Sequence, residues 1–563
     1  MNTATRTPSH YAGAAIIAAA IGMSLCVRWL ARDVVTGDYT LYLQPWIEFI
    51  QAQAGWPALR YNFSNYAPPY LYLLVVASSI FNSMPALYLS KIISLPFDLS
   101  CAWMAYKLVK LRYPDGIAAH SAFAVVLLLP TLLANGAIWG QADSTYTFFL
   151  LACIYALCTR RHGLAMICFG LALAFKLQAL FFLPVIVILL FKREVPLIKL
   201  LWIPAVMLFA HAPAAWLGRP LNDVLRIYLA QAGTDEPLVM NAPTWFTWLP
   251  HEPFDVMLWL GVLAAGAACL LLLVVALRSE SSVTPEYIVR LSAAVLLVVP
   301  FLLPKMHERY FIAGEVVSVA MAFFAPAWWL VPVAAQFASS ITYGGYLARF
   351  GHLVDLRFVA PFMAFAVVAS VVAFIRFTRS AQVQPLPALP PSRKLIGLPV
   401  EVVALAGAVV FALLAVPIGA QVQQRFNASL TATTFAQGDA LVRIESLQAA
   451  QCGNEVRLII AWPEVRNLAA PTAVFVHVYD TAGNRIAIAD ANLKDDSLPL
   501  EQWRGFVYDQ RRVKLPDAST QAGAVHLGLY DRATLQRLPA FQPNGTLWPA
   551  DEVIVPVRQA ACS

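Results

Sequence analysis

Long apolar runs succeed one another over the first three quarters of the chain, and short runs that alternate apolar with polar fill the last quarter. From Tyr11 to Ala420 the apolar stretches reach membrane-spanning length; at 1.5 Å per helical residue about 20 residues cross the hydrocarbon core. Hydropathy taken together with the positive-inside rule predicts about 13 transmembrane helices. One segment resists that count. Tyr70 to Phe81 follows Pro68-Pro69 and is only about 12 residues long, which suits a re-entrant or interfacial helix. With it left out, the clusters Lys107/Lys110/Arg112, Arg160/Arg161, Lys192/Arg193/Lys199, Arg278/Arg290 and Arg376/Arg379/Arg393/Lys394 fall in alternate loops on one side. The pattern then places the N-terminus in the cytoplasm and the C-terminal part outside. Ala14 to Leu30 follows Arg6 and lacks a small-x-small cleavage pattern, so it reads as a signal anchor and first span.

From about Gln421 the chain changes character. The runs VRLIIAW, AVFVHVYD, AVHLGLYD and EVIVPV alternate, with turn residues such as Ala482-Gly483-Asn484 and Pro543-Asn544-Gly545 between them. That pattern predicts a β-sandwich domain. The expected organisation is a transmembrane module over 1–380, a Pro-rich cytoplasmic linker over 381–397, a last transmembrane helix over 398–420 and an extracytoplasmic β-sandwich over 421–563. Composition agrees: 60% of the 563 residues are hydrophobic and 13% charged, which excludes an ordinary soluble chain. The formal charge of +7 is spread over helix ends and gives no nucleic-acid footprint. Six cysteines lie in apolar helices, where packing is their expected role. Cys452 and Cys562 bracket the C-terminal domain and form the natural disulfide pair if that domain is extracytoplasmic.

Polar groups at membrane depth are costly and therefore candidates for function. In this topology most of them gather at the outer ends of the helices. The first outer loop carries Asp33 and Asp38, and the spacing of Leu41, Trp46, Phe49 and Ile50 predicts an amphipathic surface helix after Asp38. Asn135 to Ser144 (NGAIWGQADS) marks a second outer turn, Lys176 and Gln178 lie between two short apolar runs, and Pro304 to Phe311 (PKMHERYF) packs cations beside a carboxylate. Each has a plain structural reading: Asp38 as a helix cap, Lys176 snorkelling to headgroups, Lys305 and Arg309 on lipid phosphate. Asp98, in ISLPFDLSCAW, reads as a satisfied structural carboxylate rather than a catalyst. Jointly, a carboxylate, an amide and several cations on one outer face suit transfer chemistry on an anionic, lipid-borne substrate.

These motifs, in order, resemble those of the GT-C superfamily of membrane glycosyltransferases. The likeness is greatest to the endoplasmic-reticulum glucosyltransferases of lipid-linked oligosaccharide synthesis and to bacterial relatives of the second GPI-anchor mannosyltransferase. Gly37-Asp38-Tyr39 with Trp46 resembles the family's first-loop motif, and Tyr66-Ala67-Pro68-Pro69 its re-entrant opening with one residue inserted. Asp98 matches an acid of the next span. Ile138-Trp139-Gly140-Gln141 followed by Asp143, Phe175-Lys176-Leu177-Gln178, Asn241-Ala242-Pro243-Thr244-Trp245 and His307-Glu308-Arg309 resemble later outer motifs. The histidine of the family's HFQ-like motif is replaced here by Trp139. The first loop also lacks the Asp-Glu pair of protein O-mannosyltransferases and the aminoarabinose transferase, so no divalent metal is firmly implied.

The resemblance implies an inverting hexosyltransferase that moves a mannose- or glucose-like sugar from a polyprenyl-phosphate donor to a lipid-linked or envelope glycan acceptor. Asp38 would be the catalytic base. Lys176, His307, Arg309 and Lys305 would hold the donor phosphate, with Tyr39, Trp139, Gln141, Asp143, Gln178 and Glu308 against sugar or acceptor. The implied setting is a bacterial inner membrane, with membrane lipid around the chain and no nucleic-acid partner. Two other readings use the same outer cations. A flippase of a lipid-linked sugar is expected to show matched halves, and the chain has no such symmetry. An O-antigen-ligase-like transferase would rely on large-loop residues such as Arg219, Arg226 and His251.

Overall fold

A computed structural model describes residues 8–220, 227–228, 237–250, 253–347 and 355–379, the strand residues 394–395 and 398–399, and most of 433–559 except 438–439, 445, 463, 467–471, 491–506, 518–519 and 543–545. The expected linker, the last span 398–420, Arg226, His251 and Cys562 lie largely or wholly outside the described residues. The chain divides into a mainly helical unit, Met1–Tyr39 with Trp46–Val422, and a second unit, Thr40–Pro45 with Gln423–Ser563.

Among the described residues six helices are long and apolar enough to cross a membrane: Tyr11–Leu30, Ala86–Arg112, Leu197–Trp216, Phe254–Arg278, Pro285–Leu302 and Leu356–Arg379. The chain is a multi-pass membrane protein. A seventh crossing results if Ala118–Leu127 and Pro130–Trp139, bent by 45°, count as one. The bend falls where Pro130 has no amide hydrogen to continue the ladder. Several long helices end in basic residues, Lys110 and Arg112, Arg278, and Arg376 and Arg379, where the helix dipole favours cations.

Six or seven is fewer than the 13 read from hydropathy. Asp143–Cys158 and His162–Phe175 have 16 and 14 residues, because a polar residue stops each apolar run early. Lys176, in extended conformation, ends the second. Pro68–Ile80 spans 13 residues and begins at Pro68-Pro69. The segment after Asp38 forms a helix Gln44–Ala52 that buries Trp46, Ile47 and Ile50. Pro285–Leu302 and Ile312–Phe324 are buried almost throughout; the turn between them carries His307, Glu308 and Arg309.

In the C-terminal unit the four alternating runs are all strands. Among the described residues of this unit there are three four-stranded sheets. One orders Arg485–Ile488, Thr472–Asp480, Ala522–Asp531 and Val553–Pro556; the second Val507–Lys514, Glu455–Trp462, Ser446–Cys452 and Arg558–Gln559; the third Ala540–Phe541, Thr433–Gln437, Ala440–Ile444 and Glu464–Arg466. Thr472–Asp480 pairs antiparallel with Ala522–Asp531, Val476 opposite Leu527. Alternate residues Val474, Val476 and Val478 enter one apolar core with Leu458, Ile460 and Trp462, and the residues between them, Ala473, Phe475 and His477, are buried as well.

Candidate functional site

The first loop is held by a buried lysine. Lys91 Nζ donates to the carbonyls of Ala31, Arg32 and Val34 at 2.6, 3.2 and 2.7 Å, satisfying acceptors that the end of the first helix leaves open. Thr36 Oγ1 donates to the Trp139 carbonyl at 3.3 Å and accepts from the Tyr39 amide at 3.4 Å. Asp38 is thereby fixed beside the turn at 139–141. That turn is a π-helical segment, Ala134–Trp139, closed by Gly140 at φ 76°. Only glycine enters this left-handed conformation without strain. It aims Trp139 and Gln141 at the same carboxylate.

Asp38 Oδ2 accepts from Trp139 Nε1 at 3.0 Å, Gln141 Nε2 at 2.7 Å and Arg309 Nη1 at 3.0 Å. Its Oδ1 accepts from the Tyr346 hydroxyl at 2.7 Å. Gln141 is itself held, its Oε1 accepting from Tyr66 at 2.8 Å. Next to this group, Asp143 starts the helix Asp143–Cys158 and is fully buried. It pairs with Lys176, accepts from Asn135 Nδ2 at 2.9 Å, and has Arg309 Nε at 4.0 Å. Lys176 Nζ lies 5.6, 6.0 and 5.9 Å from the ring centres of Tyr66, Tyr146 and Tyr310, a cation–π surround. Arg309 lies 5.1 Å over the Trp139 ring. Two carboxylates, two cations and an aromatic wall thus meet from six separate stretches of sequence.

The structure also separates residues that the sequence grouped. Lys305, at φ 61°, donates its amide to the Leu238 carbonyl and places its ammonium 5.5 Å over Phe254. His307 sits in a two-residue strand paired with Val239–Met240. Burial, then the nearby charges of Arg309 and Lys176, push its pKa well below 6.5. The imidazole is therefore neutral near pH 7 and brings no cation to the site. Glu308 is 0% exposed, and that burial raises its pKa to about 7. Tyr39 is buried, its hydroxyl pushed up to about 12 by desolvation and then by Glu48. Gln178 lies in the 3-10 turn Leu177–Phe182, its buried Oε1 without a partner among the described residues.

Asp98 is an ion-pair partner of Arg28, beside Ser94, and closes the gap between the first helix and Ser94–Arg112. Tyr343 and Tyr346 were not singled out from the sequence. Their sole signal there is a Tyr-Gly-Gly-Tyr run at a helix end, residues 343–346. No group of three or more His, Cys, Asp or Glu side chains able to hold a metal ion occurs among the described residues.

No protein-family model and no curated protein sequence matches the chain. Among solved structures it is similar to ArnT from Cupriavidus metallidurans bound to undecaprenyl phosphate, at 16% identity and a TM-score of 0.47, over 75% of this chain and 79% of that one. The apo state of the same protein gives 17% identity and a TM-score of 0.44, over 74% and 78%. Arabinosyltransferase EmbB from Mycobacterium smegmatis gives 13% and 0.40, over 99% of this chain and 65% of that one.

Proposed function

We propose that the chain is a GT-C-type membrane glycosyltransferase that inverts the anomeric centre of a polyprenyl-phosphate sugar as it transfers that sugar to a glycan or glycolipid acceptor. The observation that supports it best is the meeting of Asp38 with Arg309, Trp139 and Gln141, beside Lys176 and Asp143. In this reading the acceptor oxygen attacks the anomeric carbon and its proton passes to Asp38. The bond from that carbon to the phosphate oxygen breaks, and polyprenyl phosphate leaves with the electron pair. Arg309 meets the departing charge. Its Nε is buried and has no hydrogen bond among the described residues, so it has a donor to offer a phosphate oxygen. Lys176 adds field rather than a free ammonium, since Asp143 already pairs with it. In a buried site such charges act undiluted by water. Neutral His307 acts as a hydrogen-bonding group, and Glu308, raised to about 7 by burial, presents less negative charge to the incoming phosphate than an ordinary glutamate would.

The same proposal takes the shorter helices as crossings, which with the last span gives the 13 expected from hydropathy. It takes the C-terminal sheets as a β-sandwich in the extracytoplasmic space, and the sugar as a mannose- or glucose-like hexose. Incubating the purified protein with a panel of polyprenyl-phosphate hexoses and following donor turnover tests it. Asp38→Asn should abolish turnover while donor binding survives. Near-normal turnover by that variant would remove Asp38 as the base.

A further inference from the structure

A carboxylate offers about four acceptor positions, two on each oxygen. Three donors crowd Oδ2 of Asp38, so Oδ1 is the oxygen an acceptor hydroxyl can reach. There Tyr346 already holds one of the two positions. Trp139 and Gln141 are 1% and 5% exposed and are anchored from both sides. Arg309 is enclosed by Asp38, Asp143 and the Trp139 face. Tyr346 differs from all three. It is 37% exposed, and among the described residues it is the one donor on Oδ1. Its ring stacks on Trp139 at 4.5 Å and 27°, over the aromatic surface that would receive a sugar.

The helix that carries Tyr346 is built to release it. Tyr343, one turn earlier, is 2% exposed and accepts from Asn135 Nδ2 at 3.3 Å. Between the two tyrosines lie Gly344 and Gly345, in the last turn of Leu330–Leu347. A Cβ at Gly344 would meet nothing within 4 Å, so packing does not demand glycine there. Two glycines weaken a helical turn and leave its backbone free to unwind.

We propose that Tyr346 is a positioning residue that gates Asp38. Its hydroxyl occupies Oδ1 until the acceptor arrives, so that water is not activated in the acceptor's place. On acceptor binding the last helical turn unwinds, the tyrosine swings off Trp139, and the acceptor hydroxyl takes its position on Oδ1. The proton then moves from acceptor oxygen to Oδ1, the new glycosidic bond forms and polyprenyl phosphate departs. Water admitted to the same oxygen would undergo the same step and release free sugar. The proposal rests on Asp38 being the base.

The test compares hydrolysis of a polyprenyl-phosphate hexose without acceptor to transfer with acceptor, using the full-length protein in detergent. Tyr346→Phe keeps the ring and removes the hydroxyl. Losing a hydrogen bond to a charged group should raise hydrolysis roughly ten-fold or more, with the acceptor KM lowered. Unchanged or reduced hydrolysis overturns the gate, since a merely structural tyrosine or a proton relay would give those results. Gly344→Ala, which the space accommodates, should slow transfer several-fold in the wild-type background and leave Tyr346→Phe hydrolysis unaltered; equal transfer rates would show that the turn does not open. Adding Asp38→Asn to Tyr346→Phe separates the two proposals. Hydrolysis that persists in the double variant refutes Asp38 as base, whereas its loss leaves the gate to be judged on Tyr346→Phe alone.

Discussion

Replacing Asp143 by Asn removes one charge from an enclosed pair and leaves Lys176 without its counter-ion. The side chains of Asp143 and Lys176 are 0% and 10% exposed, so water screens little of what is lost. Removing one partner of such a pair costs about 3–5 kcal/mol, because the remaining charge stays buried and uncompensated. The Asn135 amide remains able to donate to the new side chain, so the loss concerns the charge. Lys176→Met alone should be costly as well, since it strands the Asp143 carboxylate. The double variant should recover most of the loss, because neither charge is then buried alone. The assay is unfolding of the purified protein in detergent micelles, followed by intrinsic tryptophan fluorescence, for the wild type and all three variants. The quantity sought is the coupling energy of the cycle. Additive losses would refute the account and show that the pair is energetically dispensable. Transfer measured on the double variant then reports how far the Lys176 charge serves the reaction apart from the fold.

Glu308 makes stability depend on pH. Its pKa is raised from 4.5 to about 7 in the folded chain, chiefly by burial. Between pH 4.5 and about 7 the unfolded chain has released this proton and the folded chain has kept it, so stability should fall as pH rises through that window and level off above it. The fall is roughly 3 kcal/mol, and Glu308→Gln should abolish it; the same slope in both proteins, measured by pH-dependent unfolding, would count against the burial argument. At Gly136 a Cβ would lie 2.6 Å from Asp98 Oδ2 and from Ser94 Oγ, and 3.1 Å from Arg28 Nη2. Gly136→Ala should therefore push apart the Arg28–Asp98 pair and cost about 1–3 kcal/mol. An unfolding midpoint equal to wild type would show that the pair yields freely.

Much of the candidate site is legible before folding is considered. Asp38, Trp139, Gln141, Asp143, Lys176 and Arg309 are polar or amphipathic residues in apolar surroundings, and that contrast is visible one segment at a time. Lys305 and Arg309 have the same charge four positions apart, yet one lies over Phe254 and the other on Asp38. Nothing in their spacing separates them, because the positive φ of Lys305 and the short strand after it set the direction of each side chain. His307 reads as a cation in sequence and is neutral in the fold, since desolvation beside two cations depends on what surrounds it. Tyr343 and Tyr346 escaped notice because tyrosine at a helix end in a membrane protein reads as an interfacial anchor.

Membrane residence and the strands of the C-terminal unit were determined by the sequence itself, because apolar length and period-two alternation are local properties that each segment carries alone. The number of long crossings was not, since a polar residue such as Lys176 ends a helix that hydropathy would extend. Tertiary structure alone decided that Arg309, 271 positions from Asp38, would share its carboxylate with Tyr346. That arrangement follows from how the helices and their end turns pack, and the charge pairing, burial and occupied lone pairs it produces exist only once they have met.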